Sequence, residues 1–238
     1  MRLDHALGPD VAEYLKKENR LFLPAGSVEQ HGPAVATGID YLIAEAVATE
    51  AAERLDVYCA PPLCYGMSLH HASFPGTASV RPSVYLPLVV DLLTFFVDQG
   101  FSKIVVVNGH GGNLPSLTAA AGEVAYDRPG VRLKIQNWYQ GEAVAARLAE
   151  AFADREGSHA TPGETSVLMY LRPELVGEVG AVEYAEPGRI TWVPGPGDLR
   201  EHYPQGAIGA DPSLASAEIG AELFELAVEG VMEAMAAL

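Results

Sequence analysis

Lys103-Ile104-Val105-Val106-Val107-Asn108-Gly109-His110-Gly111-Gly112-Asn113 is the stretch that decides the fold. Its first five residues form a β-branched run, which is typical of a strand buried in a parallel sheet. The run ends in a glycine-rich loop, and residues 114–125 beyond it have the pattern of a helix. Because a strand that passes through a loop into a helix is the repeating unit of α/β proteins, the stretch predicts an α/β fold.

Strands and helices alternate along the rest of the chain. Apolar strands near residues 20–24, 56–60, 103–107 and 131–138 alternate with helical runs near 39–54, 82–99, 114–127 and 141–154, and residues 213–238 predict a closing helix. This alternation predicts βαβ units. With 238 residues, 49% of them hydrophobic, the chain is long enough for one sizeable core, so we expect a single domain over residues 1–238.

A second loop, after the strand at 20–24, carries three side chains of the metal-binding type. These are Glu29, His31 and Asp40. In extended backbone, residues i and i+2 point to the same side, so Glu29 and His31 can reach one centre or two adjacent ones. Carboxylates with imidazole suit zinc, manganese or ferrous iron rather than calcium. The alternative is a loop whose acidic residues only cap the following helix.

Two more histidines stand in loops of similar character. His110 lies among three glycines where the strand at 103–107 ends, and ligands of α/β proteins gather at such strand ends. The alternative there is a structural glycine turn with an incidental histidine. His159 lies in the polar segment 158–166 together with Glu164. Glu164 alone is explained by a favourable place in the first turn of a helix, but His159 is not.

Together these clusters resemble the creatininase family of metal-dependent amidohydrolases. The resemblance rests on a G-S-x-E-Q-H-G-P segment with a following Asp, an N-G-H-G-G-N loop and an H-A-x-x-x-E-T-S segment. Residues 65–77 are similar to the family stretch G-x-S-x-x-H-x-x-F-P-G-T, and residues 206–212 are similar to its late G-x-x-G-D-P segment. The resemblance implies a three-layer α/β/α fold with a mostly parallel central sheet and hydrolysis of a C–N amide bond in a small-molecule substrate.

The resemblance also implies two divalent metal ions per chain, zinc first, with manganese or iron as alternatives. The expected ligands are Glu29, His31, Asp40, His110 and Glu164. Asp40 is expected to bridge, with Glu29 and His110 on one ion and His31 on the other. Creatinine-hydrolysing members carry a further glutamate two residues after the loop histidine, where this chain has Gly112. Glu164 is expected to take its place, so we predict a catalytic role for it as well.

In the expected reaction, a hydroxide bridging the two metals attacks the scissile carbonyl. Backbone N–H groups of the Gly111–Gly112 turn are candidate oxyanion donors, and His159 is expected to protonate the leaving nitrogen. The resemblance implies substrate contacts at Ser68, His71, Gly111 and His159. Creatinine-specific enzymes carry an aromatic residue at the position of Gly111, which together with Gly112 argues against creatinine.

The substrate stays open among a cyclic amide, a formamide on a nucleotide-like pyrimidine and a short peptide C-terminus. Two other functions are also open: a ring-opening hydrolase of a carbohydrate-like substrate, and a non-catalytic relative that binds a metal or small molecule. Specificity is expected from loops 65–77, 138–143 and 187–205. Three aromatic residues lie in or near these loops, where they either line a pocket or pack in a core: Trp138, Trp192 and Tyr203. The acidic pair Asp154 and Glu156 has the pattern of a solvated face.

The formal net charge of −16 argues against nucleic acid and anionic membrane surfaces as partners, because both select basic proteins. The first 19 residues are too charged for a signal peptide, and no apolar run approaches a membrane span. Two cysteines, Cys59 and Cys64, predict reduced thiols. We expect a cytoplasmic protein. By family resemblance we also expect a homo-oligomer, for which a hexamer fits.

Overall fold

A computed structural model describes residues 1–180, 182, 185–188, 190–191 and 193–238. Within them the strands are β1 (Arg20–Ala25), β2 (Tyr58–Cys59), β3 (Lys103–Asn108) and β4 (Arg132–Asn137). The α-helices are α1 (Gly8–Tyr14), α2 (Ile39–Leu55), α3 (Pro82–Gln99), α4 (Leu114–Asp127), α5 (Glu142–Phe152), α6 (Pro162–Leu171), α7 (Asp198–His202) and α8 (Ala217–Ala236).

The strands pair in parallel in the order β2-β1-β3-β4. Ala25, the last residue of β1, lies opposite Asn108, the last residue of β3. Asn108 lies in turn opposite Asn137, the last residue of β4. The loops that follow these three strands therefore leave the sheet side by side at its carboxyl edge, where ligands bind in α/β proteins.

Helices cover both faces of the sheet. Val105 and Val107 of β3 point to the face covered by α2, α5, α6 and α8, whereas Ile104 and Val106 point to the face covered by α3 and α4. Because successive strand residues point to opposite faces, a continuous β-branched run buries side chains on both sides. The architecture is a three-layer α/β/α fold with a parallel central sheet, which confirms the predicted fold class.

Some element boundaries differ from the sequence prediction. β2 has two residues only, because it pairs with β1 at Leu21 and Phe22 alone. The segment 187–205, predicted to be a loop, contains the short helix α7. α8 begins later than predicted because Ser216 caps it, its hydroxyl accepting a hydrogen bond from the Ile219 N–H. Trp192 lies outside the described residues, among which no helix is both long and apolar enough to cross a membrane.

Candidate metal centre

The predicted ligands lie together at the carboxyl edge of the sheet. Glu29 and His31 follow β1, and His110 follows β3, while Asp40 and Glu164 lie in the first turns of α2 and α6. Glu29, Asp40 and His110 offer three ligand atoms within 4.8 Å of one another, and so do His31, Asp40 and Glu164. These are the two groups that the family resemblance implies; Glu29, His31 and His159 form a third group within the same distance. Their role as metal ligands stays a prediction.

Asp40 belongs to both groups, and its two oxygens face different partners. Oδ1 lies 3.1 Å from Nε2 of His31, and Oδ2 lies 3.2 Å from Nδ1 of His110. The Ser27 hydroxyl donates to Oδ2 at 2.6 Å and fixes the carboxylate. Gly109 lets the loop pass so close to α2 that a Cβ at this position would overlap the Asp40 main-chain carbonyl. Asp40 is therefore held with one carboxylate oxygen toward each of the two histidines, and its role as a bridging ligand stays a prediction.

Main-chain carbonyls orient the two histidines of these groups. Nδ1–H of His31 donates to the Glu29 carbonyl at 3.2 Å, which leaves Nε2 facing Asp40. In His110 the roles are exchanged: Nε2–H donates to the Met67 carbonyl at 3.1 Å, which leaves Nδ1 facing Asp40 and Glu29. An imidazole whose one N–H is bound to a carbonyl presents its other nitrogen as a metal ligand.

Glu164 has two separate contacts. Oε1 accepts a hydrogen bond of 2.5 Å from the Thr161 N–H, while the Thr161 hydroxyl accepts one from the Glu164 N–H, so the pair forms a capping box at the start of α6. Oε2 faces the site, 3.8 Å from Nε2 of His31. The capping role and the ligand role, which the sequence left as alternatives, are therefore compatible in one side chain.

The donor set fits divalent cations. Glu29 Oε2 is buried and has no hydrogen-bond partner among the described residues. In that part of the chain, Glu29, Asp40 and Glu164 form their ion pairs with histidines and with no lysine or arginine. Buried carboxylates are costly unless they are paired or coordinate a metal. Carboxylate and imidazole ligands suit zinc, manganese and iron.

The pKa values reflect the same crowding of charge. Burial opposes protonation of His31, but the Asp40 and Glu164 carboxylates outweigh it and raise the pKa of His31 to about 10. Burial raises the pKa of Glu164 to about 7, against the opposing effect of His31. Burial and the neighbouring His31 lower the pKa of His159 to about 3. A cation at Nε2 of His31 would take the place of a proton that these carboxylates stabilise.

A cavity of about 320 Å³ opens beside His31, Asp40 and Glu164. Its wall also includes Gly111, Trp138, Tyr139, Glu156, Ser158 and His159. Two of the predicted substrate-binding residues, Gly111 and His159, therefore face this space. The sequence left two alternatives for Trp138 and Tyr203, a pocket wall or a core. Trp138 is buried and lines the cavity. Tyr203 is buried elsewhere, and its hydroxyl donates a hydrogen bond to the Glu186 carbonyl.

The other two predicted substrate-binding residues lie behind the ligands, not on the cavity wall. The Ser68 hydroxyl is buried 3.5 Å from Nε2 of His110. His71 is buried with Nε2 3.5 Å from Oε1 of Glu29, and its ring centroid lies 4.1 Å from that of His159. Contact of either residue with a substrate stays a prediction.

The backbone around His159 is unusual. Gly157 has φ of 69°, and Ala160, directly after the histidine, has φ of 51°. Left-handed backbone is rare in residues other than glycine, asparagine and aspartate, and it occurs at functional sites where the surroundings enforce it. This conformation turns the His159 ring away from solvent and onto His31, with ring centroids 4.4 Å apart.

Sequence reasoning missed Glu156. The pairing with Asp154 indicated a solvated face, yet the Glu156 side chain lines the cavity, where it accepts a hydrogen bond of 3.1 Å from the Gly163 N–H. Burial and the charge of Glu164 raise the pKa of Glu156 to about 7. A carboxylate six residues before the first residue of α6 carries no sequence signal for this contact, because the contact depends on how the intervening loop folds back.

Gly112, the position of the glutamate in creatinine-hydrolysing members, has no space for a side chain. An ideal Cβ on Gly112 would lie 2.7 Å from the Met67 carbonyl oxygen and still closer to Nε2 of His110. A Cβ on Gly111 would instead meet the Tyr139 hydroxyl at 3.4 Å, an ordinary contact. The glycine at 112 therefore belongs to the geometry that holds His110 against Met67.

Comparisons with known proteins agree on one family. The model of the family described as creatinine amidohydrolase (Creatininase) matches residues 5–235. The chain is similar to a mycofactocin precursor peptide peptidase of Mycolicibacterium smegmatis, with 32% identity over 88% of this chain and 81% of the relative. It is also similar to a 3-dehydro-scyllo-inosose hydrolase of Thermotoga maritima, with 28% identity over 90% and 76% of the two chains. A mutant creatininase structure described as Zn-Zn type has a TM-score of 0.87 at 22% identity, over 98% and 96% of the two chains.

Proposed function

Because the chain belongs to the creatininase family, we propose that it is a metal-dependent hydrolase that cleaves a C–N amide bond of a small molecule or short peptide. The observation that carries the proposal is the pair of ligand groups that share Asp40, of which the group formed by His31, Asp40 and Glu164 lines a cavity. Glu29, Asp40 and His110 would hold one divalent ion, and His31, Asp40 and Glu164 the other. When bound, such a pair supplies acidification of a water molecule and polarisation of a carbonyl oxygen.

The chain itself supplies positioning and proton transfer. Gly111 opens the cavity wall, so the N–H groups of the Gly111–Gly112 turn are candidates to donate to the carbonyl oxygen as it gains charge. His159 borders the same cavity, with Nδ1 3.6 Å from Oε1 of Glu29. We assign to this Nδ1 the transfer of a proton: it would accept one from the attacking water and pass it to the leaving nitrogen as the C–N bond breaks.

A peptide is the substrate class that we favour. The relative with 32% identity is described as a peptide peptidase, whereas a relative of Pseudomonas putida described as creatinine amidohydrolase has 28% identity. Gly111 adds no side chain to the cavity, which favours a substrate longer than a small ring. A ring-opening carbohydrate hydrolase is the second candidate, because the 28% identical relative of Thermotoga maritima is described as an inosose hydrolase.

The proposal is tested with zinc-loaded protein and a panel of four substrates: short peptides with a free C-terminus, creatinine, an N-formylated aminopyrimidine and a keto-inositol. We expect release of C-terminal residues from peptides, abolished by Asp40→Asn. Hydrolysis of the keto-inositol alone would replace the amide proposal with the second candidate. Failure of all four, with two zinc ions bound, would contradict the proposed reaction.

Zinc is the metal we propose to test first, because the similar creatininase structure is described as a Zn-Zn type. A homo-oligomer and a cytoplasmic location also remain proposals. Both are checked by ordinary measurements, the first by light scattering of purified protein and the second by fractionation of the source cells.

A further inference from the structure

Gln30, between the predicted ligands Glu29 and His31, has its side chain buried among two histidines and a loop. Its Nε2 lies 3.0 Å from Nδ1 of His71, 3.1 Å from the Gly206 carbonyl oxygen and 3.0 Å from Nε2 of His159. Its Oε1 accepts a hydrogen bond of 2.9 Å from the Gly32 N–H. Both the Nε2 and the Oε1 atom of the Gln30 amide are therefore held in place.

The number of amide hydrogens decides which of these contacts are hydrogen bonds. A glutamine Nε2 has two hydrogens and accepts none. The Gly206 carbonyl takes one of them, and Nδ1 of His71 takes the other. Nε2 of His159 also lies 2.8 Å from the Gln30 main-chain carbonyl, an acceptor only, so this nitrogen carries a hydrogen and donates it there. The contact between Nε2 of Gln30 and Nε2 of His159 is therefore not a hydrogen bond.

Both imidazoles are thus limited to one neutral tautomer. His71 has an unprotonated Nδ1, so its hydrogen is on Nε2, which faces Oε1 of Glu29 at 3.5 Å. His159 likewise has its hydrogen on Nε2, so Nδ1 is unprotonated and faces Oε1 of Glu29 at 3.6 Å. The alternative tautomer of His159 would bring a lone pair within 2.8 Å of the carbonyl oxygen, which is repulsive.

We propose that Gln30 is a positioning residue: its side-chain amide holds His71, and its main-chain carbonyl holds His159, with hydrogen on Nε2, which leaves Nδ1 of His159 without a hydrogen on the side that faces Glu29. Gln30 touches no reacting atom in this role. It acts through His159, the residue to which the proposed function assigns the proton transfer, and the inference rests on that function for its catalytic consequence. The tautomers themselves do not depend on it.

The surrounding loops are shaped to keep this amide in place. Gly206 has φ of 83°, and a Cβ there would overlap the Gln30 amide group. The Gln30 N–H also donates to the Thr77 hydroxyl at 3.1 Å. Contacts from residues 32, 77 and 206 thus converge on one glutamine, although they lie far apart in the sequence.

The test compares zinc-loaded wild type with Gln30→Met, which keeps the volume of the side chain and removes both donors. Exposed Gln99 at the end of α3 provides the matched control, Gln99→Met. Proteins labelled with ¹⁵N in histidine are observed by NMR, which distinguishes Nδ1–H from Nε2–H. We expect wild type and Gln99→Met to show Nε2–H on His71 and His159, and Gln30→Met to show a mixture at His71. Nδ1–H on His71 in wild type would overturn the proposal.

Kinetics on the panel substrate that wild type hydrolyses fastest give the second readout. Gln30→Met keeps the main-chain carbonyl that fixes His159, so we expect its kcat to stay within about threefold of wild type, far from the about 10²–10⁴-fold loss that removal of acid–base catalysis causes. Zinc content is expected to stay as in wild type. A fall in kcat of more than about tenfold with zinc retained would overturn the assignment of His159 to the main-chain carbonyl, and loss of zinc would show that Gln30 supports the ligands instead. If no panel substrate is cleaved but the NMR result holds, the proposed function fails and the assignment of the tautomers stands.

Discussion

Alanine at Gly112 is expected to damage the site, whereas alanine at Gly111 is expected to be tolerated. At position 112 the new Cβ meets the Met67 carbonyl oxygen at 2.7 Å and lies against the His110 ring, so backbone or a buried ring has to shift. At position 111 the nearest atom is the Tyr139 hydroxyl at 3.4 Å. Neither glycine has positive φ, so both variants gain the same small benefit from a less flexible unfolded chain.

The difference in unfolding temperature between the two variants therefore measures the cost of the steric clash at position 112. Overpacking of a buried site costs about 1–3 kcal/mol, and in a chain of this size each kcal/mol lowers Tm by about 2–4 °C. We expect metal-free Gly112→Ala to unfold about 2–12 °C below metal-free Gly111→Ala. We also expect Gly112→Ala to bind zinc more weakly, because the Met67 carbonyl no longer holds His110 in place.

The assay is thermal unfolding of the two chelator-treated variants, followed by a zinc titration of each. Equal Tm values and equal zinc affinities would refute the reasoning, because they would show that the loop at 109–113 adjusts without cost. In that case Gly112 would no longer explain why this chain lacks the glutamate of creatinine-hydrolysing members.

Three further predictions follow from the same contacts. Removal of zinc with a chelator is expected to lower Tm by about 5–10 °C, since a ligand at 100 times its Kd stabilises by about 2.7 kcal/mol; an unchanged Tm would argue against a bound metal. Ser27→Ala removes the 2.6 Å hydrogen bond to Asp40 and is expected to weaken zinc affinity about 10- to 100-fold, measured by competition with a chromophoric chelator. Thr161→Ala removes the helix cap and is expected to cost about 1 kcal/mol in denaturant unfolding, a result that unchanged stability would contradict.

The fold was predictable because its signals are local. The β-branched run of β3 and the glycines after it indicate a buried parallel strand that ends in an open loop, and the structure has both. Glu29, His31 and His110 were predicted as site residues for the same reason, since each lies in the loop after a strand whose carboxyl end is recognisable. The resemblance of the motifs to the creatininase family then indicated Glu164 as a further ligand, and the family is confirmed.

What the sequence did not reveal depends on contacts between distant segments. The two directions of the Asp40 carboxylate require Ser27 and the close approach of Gly109 to α2. Glu156 enters the cavity because its loop folds back onto the start of α6. The Gln30 side chain can donate to the Gly206 carbonyl only when the loop that carries Gly206 is folded against it. None of these contacts follows from periodicity or spacing, because each joins residues whose separation in the sequence is unrelated to their distance in space.

The most direct test of the account is the number of metal ions bound per chain by three proteins. Glu164→Gln keeps the helix cap, because glutamine also serves in a capping box, but it removes the carboxylate that faces His31. Glu156→Gln is the matched control on the same cavity wall, outside both ligand groups. We expect elemental analysis to give about two zinc ions for wild type and for Glu156→Gln, the number of a two-metal hydrolytic site, and about one for Glu164→Gln. Two ions retained in Glu164→Gln would contradict the second ligand group, and no ion in wild type would contradict the metal centre itself.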